Sequence, residues 1–145
     1  MTSETSDVVV RRVSVLVGLC CLAGSVVAQS RSVWDGTYTK AQAARGKTVY
    51  EHTCARCHGE TLLGGDDAKA LVGEAFLQAW DGKPVGKLFD VIRRTMPDDG
   101  PGILSRRESA DVVAYLLGAN GFPAGQTDLE NEDAPLNTIL IKAKR

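Results

Sequence analysis

The sequence predicts an all-α domain, and three observations carry that expectation. Apolar residues recur at spacings of three and four in the stretches that end near Cys54, Ile92 and Leu117. Two helix starts are marked by a hydroxyl residue with Gln42 or Glu108 three positions on. No stretch reads as a paired strand, and there is no internal repeat. At 145 residues, the chain is one domain with at most a processing segment. Charged residues make up 24% and the formal net charge is −1. That balance excludes a disordered charged tail protein and gives no electrostatic footprint for nucleic acid.

The elements follow in order. Residues 1–28 read as a secretory signal peptide. Arg11-Arg12 precede the apolar run Val13–Val27, and Val26-Val27-Ala28 supplies small residues before a cut after Ala28. The run spans fifteen residues, short of the roughly 20 that a membrane-spanning helix needs, so an uncleaved anchor is the lesser alternative. Cys20 and Cys21 leave with this segment, and Cys54 and Cys57 remain.

Residues 29–40 form an N-terminal extension without helical period, carrying the turn signal Trp34-Asp35-Gly36. Thr39 opens a helix as the first member of a capping box with Gln42. Ala43, Gly46, Tyr50 and Cys54 share one face of it. A glycine inside a helix costs about 1 kcal/mol against alanine. Gly46 therefore implies the close approach of another backbone.

Residues 59–73 are loop, and residues 74–80 a short helix that groups Phe76, Leu77 and Trp80. Pro84 suits a first helical position, ahead of Val85, Leu88, Phe89 and Ile92 at amphipathic spacing. Pro97 pushes Met96 into an extended conformation and ends that helix. Ser105 and Glu108 cap the last strong helix, whose apolar face is Val112, Val113, Leu116 and Leu117, and Asn120-Gly121 stop it. Residues 122–145 are a Pro-, Gly- and acid-rich C-terminal tail, with 133–141 as the candidate for a short docked segment.

The chemistry sits in Cys54-Ala55-Arg56-Cys57-His58. Two cysteines separated by two residues and followed by histidine are the signature of covalent haem attachment. Each thiol adds across one vinyl group, and the adjacent histidine coordinates iron through Nε2. A structural zinc site needs four convergent ligands, and Cys54, Cys57, His52 and His58 lie within seven residues, too cramped to close a tetrahedron. A thioredoxin-like redox pair belongs in a βαβ setting, which is missing here. A structural disulfide would leave His58 and Met96 unexplained.

Met96 is the sixth-ligand candidate by elimination. Once Met1 leaves with the signal it is the remaining methionine, and His52 lies too close to His58 in the chain to reach the other face of the ring. A lone methionine is more often core filler. The flanks Thr95-Met96-Pro97, at a helix end, favour a ligand. Arg56 reads as a solvent-facing spacer, and Lys83, Lys87, Arg93 and Arg94 as a solvated helix face.

With these motifs the sequence resembles the class I c-type cytochromes over roughly residues 41–121. The resemblance implies a cytochrome c fold of about four short helices wrapped around one covalently bound haem c. It also implies a first and last helix that cross where a glycine meets an aromatic, a description that Gly46, Tyr50 and Tyr115 fit. Trp34-Asp35-Gly36-Thr37-Tyr38 and Gly121-Phe122-Pro123-Ala124-Gly125 resemble small cytochromes associated with quinoprotein dehydrogenases. Trp80 is either an aromatic of the haem pocket, as in relatives, or plain core. One departure stands out. Such families carry a proline near the carbonyl that receives the proximal histidine's Nδ1, and Ala68-Lys69-Ala70-Leu71 has none.

The expected function is a soluble, extracytoplasmic, periplasmic electron carrier, monomeric and not an enzyme, with His58 and Met96 saturating the iron. Its expected partners are redox proteins, a dehydrogenase as donor and an oxidase or another cytochrome as acceptor. Two alternatives remain. One is a haem subunit of a periplasmic dehydrogenase complex. The other is a ligand-binding sensor or peroxidase-like protein with an open or labile sixth site.

Overall fold

Two fourteen-residue helices, α1 (Lys40–Thr53) and α5 (Arg106–Ala119), make the largest helix-to-helix contact of the fold. In the computed structural model, residues 31–66 and 68–144 are described. The expected signal segment, with Cys20 and Cys21, lies outside them. Among the described residues the chain runs β1 (Arg31–Ser32), a 3-10 turn (Val33–Asp35), α1, α2 (Ala55–His58), α3 (Gly73–Trp80), α4 (Val85–Thr95), α5, α6 (Asp133–Leu136) and β2 (Ile139–Leu140). The fold is all-α, with a two-residue parallel pair as its sheet. None of the described helices is long and apolar enough to cross a membrane.

Gly46 accounts for the crossing. It is buried, and a Cβ added there would run into the carbonyl of Asp111 on α5. Tyr50 and Tyr115 pack beside it with ring centroids 5.3 Å apart. Arg45 closes the junction with two 3.0 Å hydrogen bonds to the Asp111 carboxylate and a third of 2.7 Å to Asp128. These bonds, to Asp111 first, hold the guanidinium protonated.

The helix starts obey their caps, with one difference. Ser105 and Glu108 form the full box. Thr39 Oγ1 accepts from the Gln42 amide at 3.0 Å, but the Gln42 side chain does not return to the cap. It exchanges two hydrogen bonds with the backbone of Leu129, at 3.0 and 2.6 Å. A buried carboxamide has both a donor and an acceptor to satisfy, and an extended tail strand offers both. Pro84 sits one residue earlier than expected, at the cap of α4. Val85, Leu88, Phe89 and Ile92 are buried along that helix, and Met96 leaves it extended, at φ −117° and ψ 149°.

The tail wraps the domain rather than trailing from it. Leu129, Leu136, Ile139 and Ile141 are all buried. β2 pairs with β1 in the register Arg31 to Ile139 and Ser32 to Leu140. A two-residue strand has no alternation to read, so it leaves no periodic signal.

Acid should loosen this wrapping. The Thr39 hydroxyl and then Arg45 hold Asp128 below its ordinary value of 3.8, and Arg106 does the same for Asp133. A depressed carboxylate contributes stability that is present above 3.8 and is lost as pH falls through the lowered folded values. The thermal midpoint of the holoprotein should therefore be flat from neutrality to about pH 5 and fall steeply below about pH 4. Asp128→Asn should lower the midpoint at neutral pH and flatten the acid limb.

Candidate haem-binding site

α1 ends at Cys54, whose amide donates to Tyr50 at 2.8 Å. The next four residues form their own turn, α2, so that the motif stands as a short helix beyond the end of α1. Cys54 is half-buried and Cys57 is exposed, and both thiols are free. Burial, with Cys57 nearby, pushes the Cys54 thiol up to about 11. Gly59 then turns the chain at φ +74°, a conformation that glycine adopts without a Cβ penalty. The Tyr50 hydroxyl donates to its carbonyl at 2.7 Å.

His58 is oriented by the loop that follows it. Its Nδ1 lies 2.8 Å from the carbonyl oxygen of Lys69. A carbonyl only accepts, so Nδ1 carries the proton and Nε2 keeps its lone pair. The loop is fixed in turn by bonds from Gly64 to the His58 carbonyl, Gly65 to Ala68 and Leu71 to Leu62, at 3.0, 2.9 and 2.7 Å. Asn120, at the end of α5, donates to Leu71 at 2.9 Å and accepts from Gly73 at 3.0 Å. The missing proline is thus replaced by a hydrogen-bonded stretch that holds the Lys69 carbonyl. The Asn120 side of this arrangement had no signal in the sequence beyond a helix stop.

Cys54, Cys57, His58, Trp80 and Met96 all line one cavity of about 1060 Å³. Leu71, Leu88, Ile92, Val112 and Leu116 supply apolar wall, and Lys69, Lys83, Asp98 and Asp99 supply polar groups. Trp80 is half-buried, 6.4 Å from the Phe76 ring, with the Lys83 ammonium 5.6 Å from its own centroid. Lys83 is exposed, as expected, and also lies over this aromatic ring. Arg56 is exposed, as expected of a spacer, and has a partner as well. It forms an ion pair with Asp99, tying α2 to the loop just after Met96.

These residues fit a covalent haem. The cavity is slightly larger than the range of about 300–1000 Å³ for small-molecule sites, as suits a large planar group. Two free thiols, a histidine nitrogen with its lone pair available and a thioether open onto it together. Among the described residues, no group of three or more His, Cys, Asp or Glu side chains is placed to hold a metal ion by itself.

Residues 41–116 match the family model described as cytochrome C oxidase, cbb3-type, subunit III. No curated protein matches the chain. Among solved structures, the sulfane dehydrogenase SoxCD from Paracoccus pantotrophus is similar, with 24% identity and a TM-score of 0.45. That match covers 66% of this chain and 55% of the SoxCD chain, so it spans about half of that chain's length. The family model takes in more than half of the residues, including the haem-attachment motif and Met96, and the chain belongs to this family of c-type cytochromes.

Proposed function

We propose that this protein is a single-electron carrier working outside the cytoplasm, with one haem c joined to Cys54 and Cys57 and ligated by His58 and Met96. Family membership brings haem-based electron transfer and covalently bound haem c. The finer reading rests on one observation: the two thiols, the oriented imidazole and the thioether open onto a single apolar-walled cavity.

A bound haem c supplies one-electron exchange between ferrous and ferric iron. The chain does the rest. Cys54 and Cys57 fix the group covalently, so that it does not dissociate. The Lys69 carbonyl holds the His58 tautomer and ring angle. The Met96 thioether is a soft donor that favours the ferrous state and fills the sixth position. Leu88, Ile92, Val112 and Leu116 keep water from the interior. Ala75, Ala79 and Val91 line the cavity and are exposed, and a redox partner approaches past them. Such encounters are small and transient. With His58 and Met96 both holding it, a bound haem would offer no place for a substrate, so the protein would carry electrons without being an enzyme in its own right. The sequence of residues 1–28 supports export to the periplasm.

The family description favours a second reading, in which the same domain is the haem subunit of a larger oxidase or dehydrogenase complex. The redox chemistry is unchanged and only the partner becomes permanent. Purification from the native host separates the two, as a free chain or as part of an assembly.

The deciding measurement is the visible spectrum of the reduced holoprotein before and after carbon monoxide. The expected result is no change over minutes. A prompt shift would show an open or labile sixth position and put the sensor or peroxidase-like reading in its place.

A further inference from the structure

β2 does more than pair with β1. On its other edge it meets the elbow between α3 and α4, residues 81–84, in antiparallel sense. Gly82 donates to the Ile141 carbonyl at 2.8 Å, and Ile141 donates back to the Lys83 carbonyl at 2.9 Å. Two side chains extend the seam. The Trp34 indole N–H donates to the Lys142 carbonyl at 2.9 Å, and the Ala143 amide donates to Asp81 Oδ1 at 2.7 Å. Just upstream, the Asn137 carboxamide packs on Gly86 in the first turn of α4, where a Cβ would have to displace it.

The elbow supports one wall of the cavity. α3 contributes Ala75, Ala79 and Trp80 to it, and α4 contributes Leu88, Val91 and Ile92 before ending at Met96. A helix is stiff along its axis, so a shift at Gly86 is carried along the roughly 16 Å of α4 to Met96. The tail is itself moored to the far helices, Leu129 to Gln42 of α1 and the Asn131 carbonyl to Arg106 of α5, which donates to it at 2.7 Å.

We propose that residues 137–143 are a strap that positions α4, and that their grip sets how readily Met96 leaves the iron. The proposal rests on the reading of Met96 as a ligand. Two changes test it in the holoprotein. One deletes residues 139–145. The other combines Asp81→Ala with Trp34→Phe, which removes both side-chain ties and keeps the aromatic ring that packs edge-on to Phe122 at 5.0 Å. Asp81→Asn is the conservative control, since its carboxamide oxygen still accepts from Ala143.

The readouts are the rate of carbon monoxide binding to the reduced protein, hydrogen exchange of the α4 amides, and the thermal midpoint. Each disruptive variant should bind carbon monoxide roughly tenfold faster or more, with a matching rise in α4 exchange, while Asp81→Asn stays near wild type. A lower midpoint with unchanged carbon monoxide kinetics and unchanged α4 exchange would overturn the proposal, because the tail would then only add stability. If the deletion does not fold, the Asp81–Trp34 double variant decides by the same readouts. Prompt carbon monoxide binding by the wild type would defeat the Met96 reading alone. Hydrogen exchange of α4 would still report whether the strap holds that helix, rising in the variants if it does and unchanged if it does not.

Discussion

Gly46→Ala is expected to destabilise the folded protein by about 3–4 kcal/mol, and Gly46→Val to prevent it from accumulating at all. Helix propensity alone predicts the opposite, a gain of about 1 kcal/mol when alanine replaces glycine inside a helix. The packing decides the sign. The added Cβ meets the backbone carbonyl of Asp111 and the Val112 amide, and neither is the free end of a side chain that can rotate away. Arg45 holds Asp111 in place from α1 itself, so the two helices cannot part without stretching those bonds. Urea unfolding of the holoprotein checks this. Ala44→Gly at the exposed neighbouring position serves as reference, with an expected loss of about 1 kcal/mol from propensity alone. A Gly46→Ala protein more stable than wild type would show that α1 and α5 do not cross at this point.

Met96→Ala is expected to leave the haem attached and the helices intact, yet change the redox behaviour sharply. Met96 is only half-buried, and its removal opens little of the core formed by Leu88, Phe89 and Leu116. The variant should bind carbon monoxide promptly when reduced and lose the sulfur-to-iron charge-transfer band when oxidised. Its midpoint potential should fall, by about 120 mV for each hundredfold weakening of the ferrous preference. Met96→His supplies a contrast. It should remain closed to carbon monoxide but also drop in potential, since imidazole does not favour ferrous iron as a thioether does. An unchanged potential in Met96→Ala would remove Met96 from the iron.

The parts of this structure that could be read in advance are those in which the signal lies close together in the chain. Ser105 and Glu108 are one helical turn apart and announce α5. Pro97 acts on its own neighbour and ends α4. Gly46 declared a close approach by its cost, and the resemblance to class I cytochromes named the helix it meets. The parts that escaped depend on remote partners. Gln42 was read as a cap because its neighbour Thr39 made that the nearest use, whereas the structure spends both ends of its carboxamide on Leu129. Asn120 was read as a helix stop and also pins the loop that presents Lys69 to His58. Arg56 has no local partner, and Asp99 becomes one only when the loop after Met96 folds back. The tail is legible only in part: 133–141 is the candidate docked segment and holds the buried Leu136, Ile139 and Ile141, whereas the buried Leu129 lies ahead of it with no local signal.

The crossing of α1 and α5 also imposes a timetable on biogenesis. The Gln42 and Leu129 partners are 87 residues apart, and Trp34 and Lys142 are 108 apart. Closure entropy grows slowly, by about 0.6 kcal/mol per doubling of length, so the distance itself is a minor penalty once the first helices dock. Order of appearance matters more. A chain that emerges N-terminus first presents Cys54 and Cys57 well before Ile139–Ala143 appear. Through that interval α4 has no strand to lean on and the wall bearing Met96 is unsecured. If the two thiols take up haem as proposed, they stay open to it before the pocket can close, and Ile139–Ala143 act as the closing stitch of assembly.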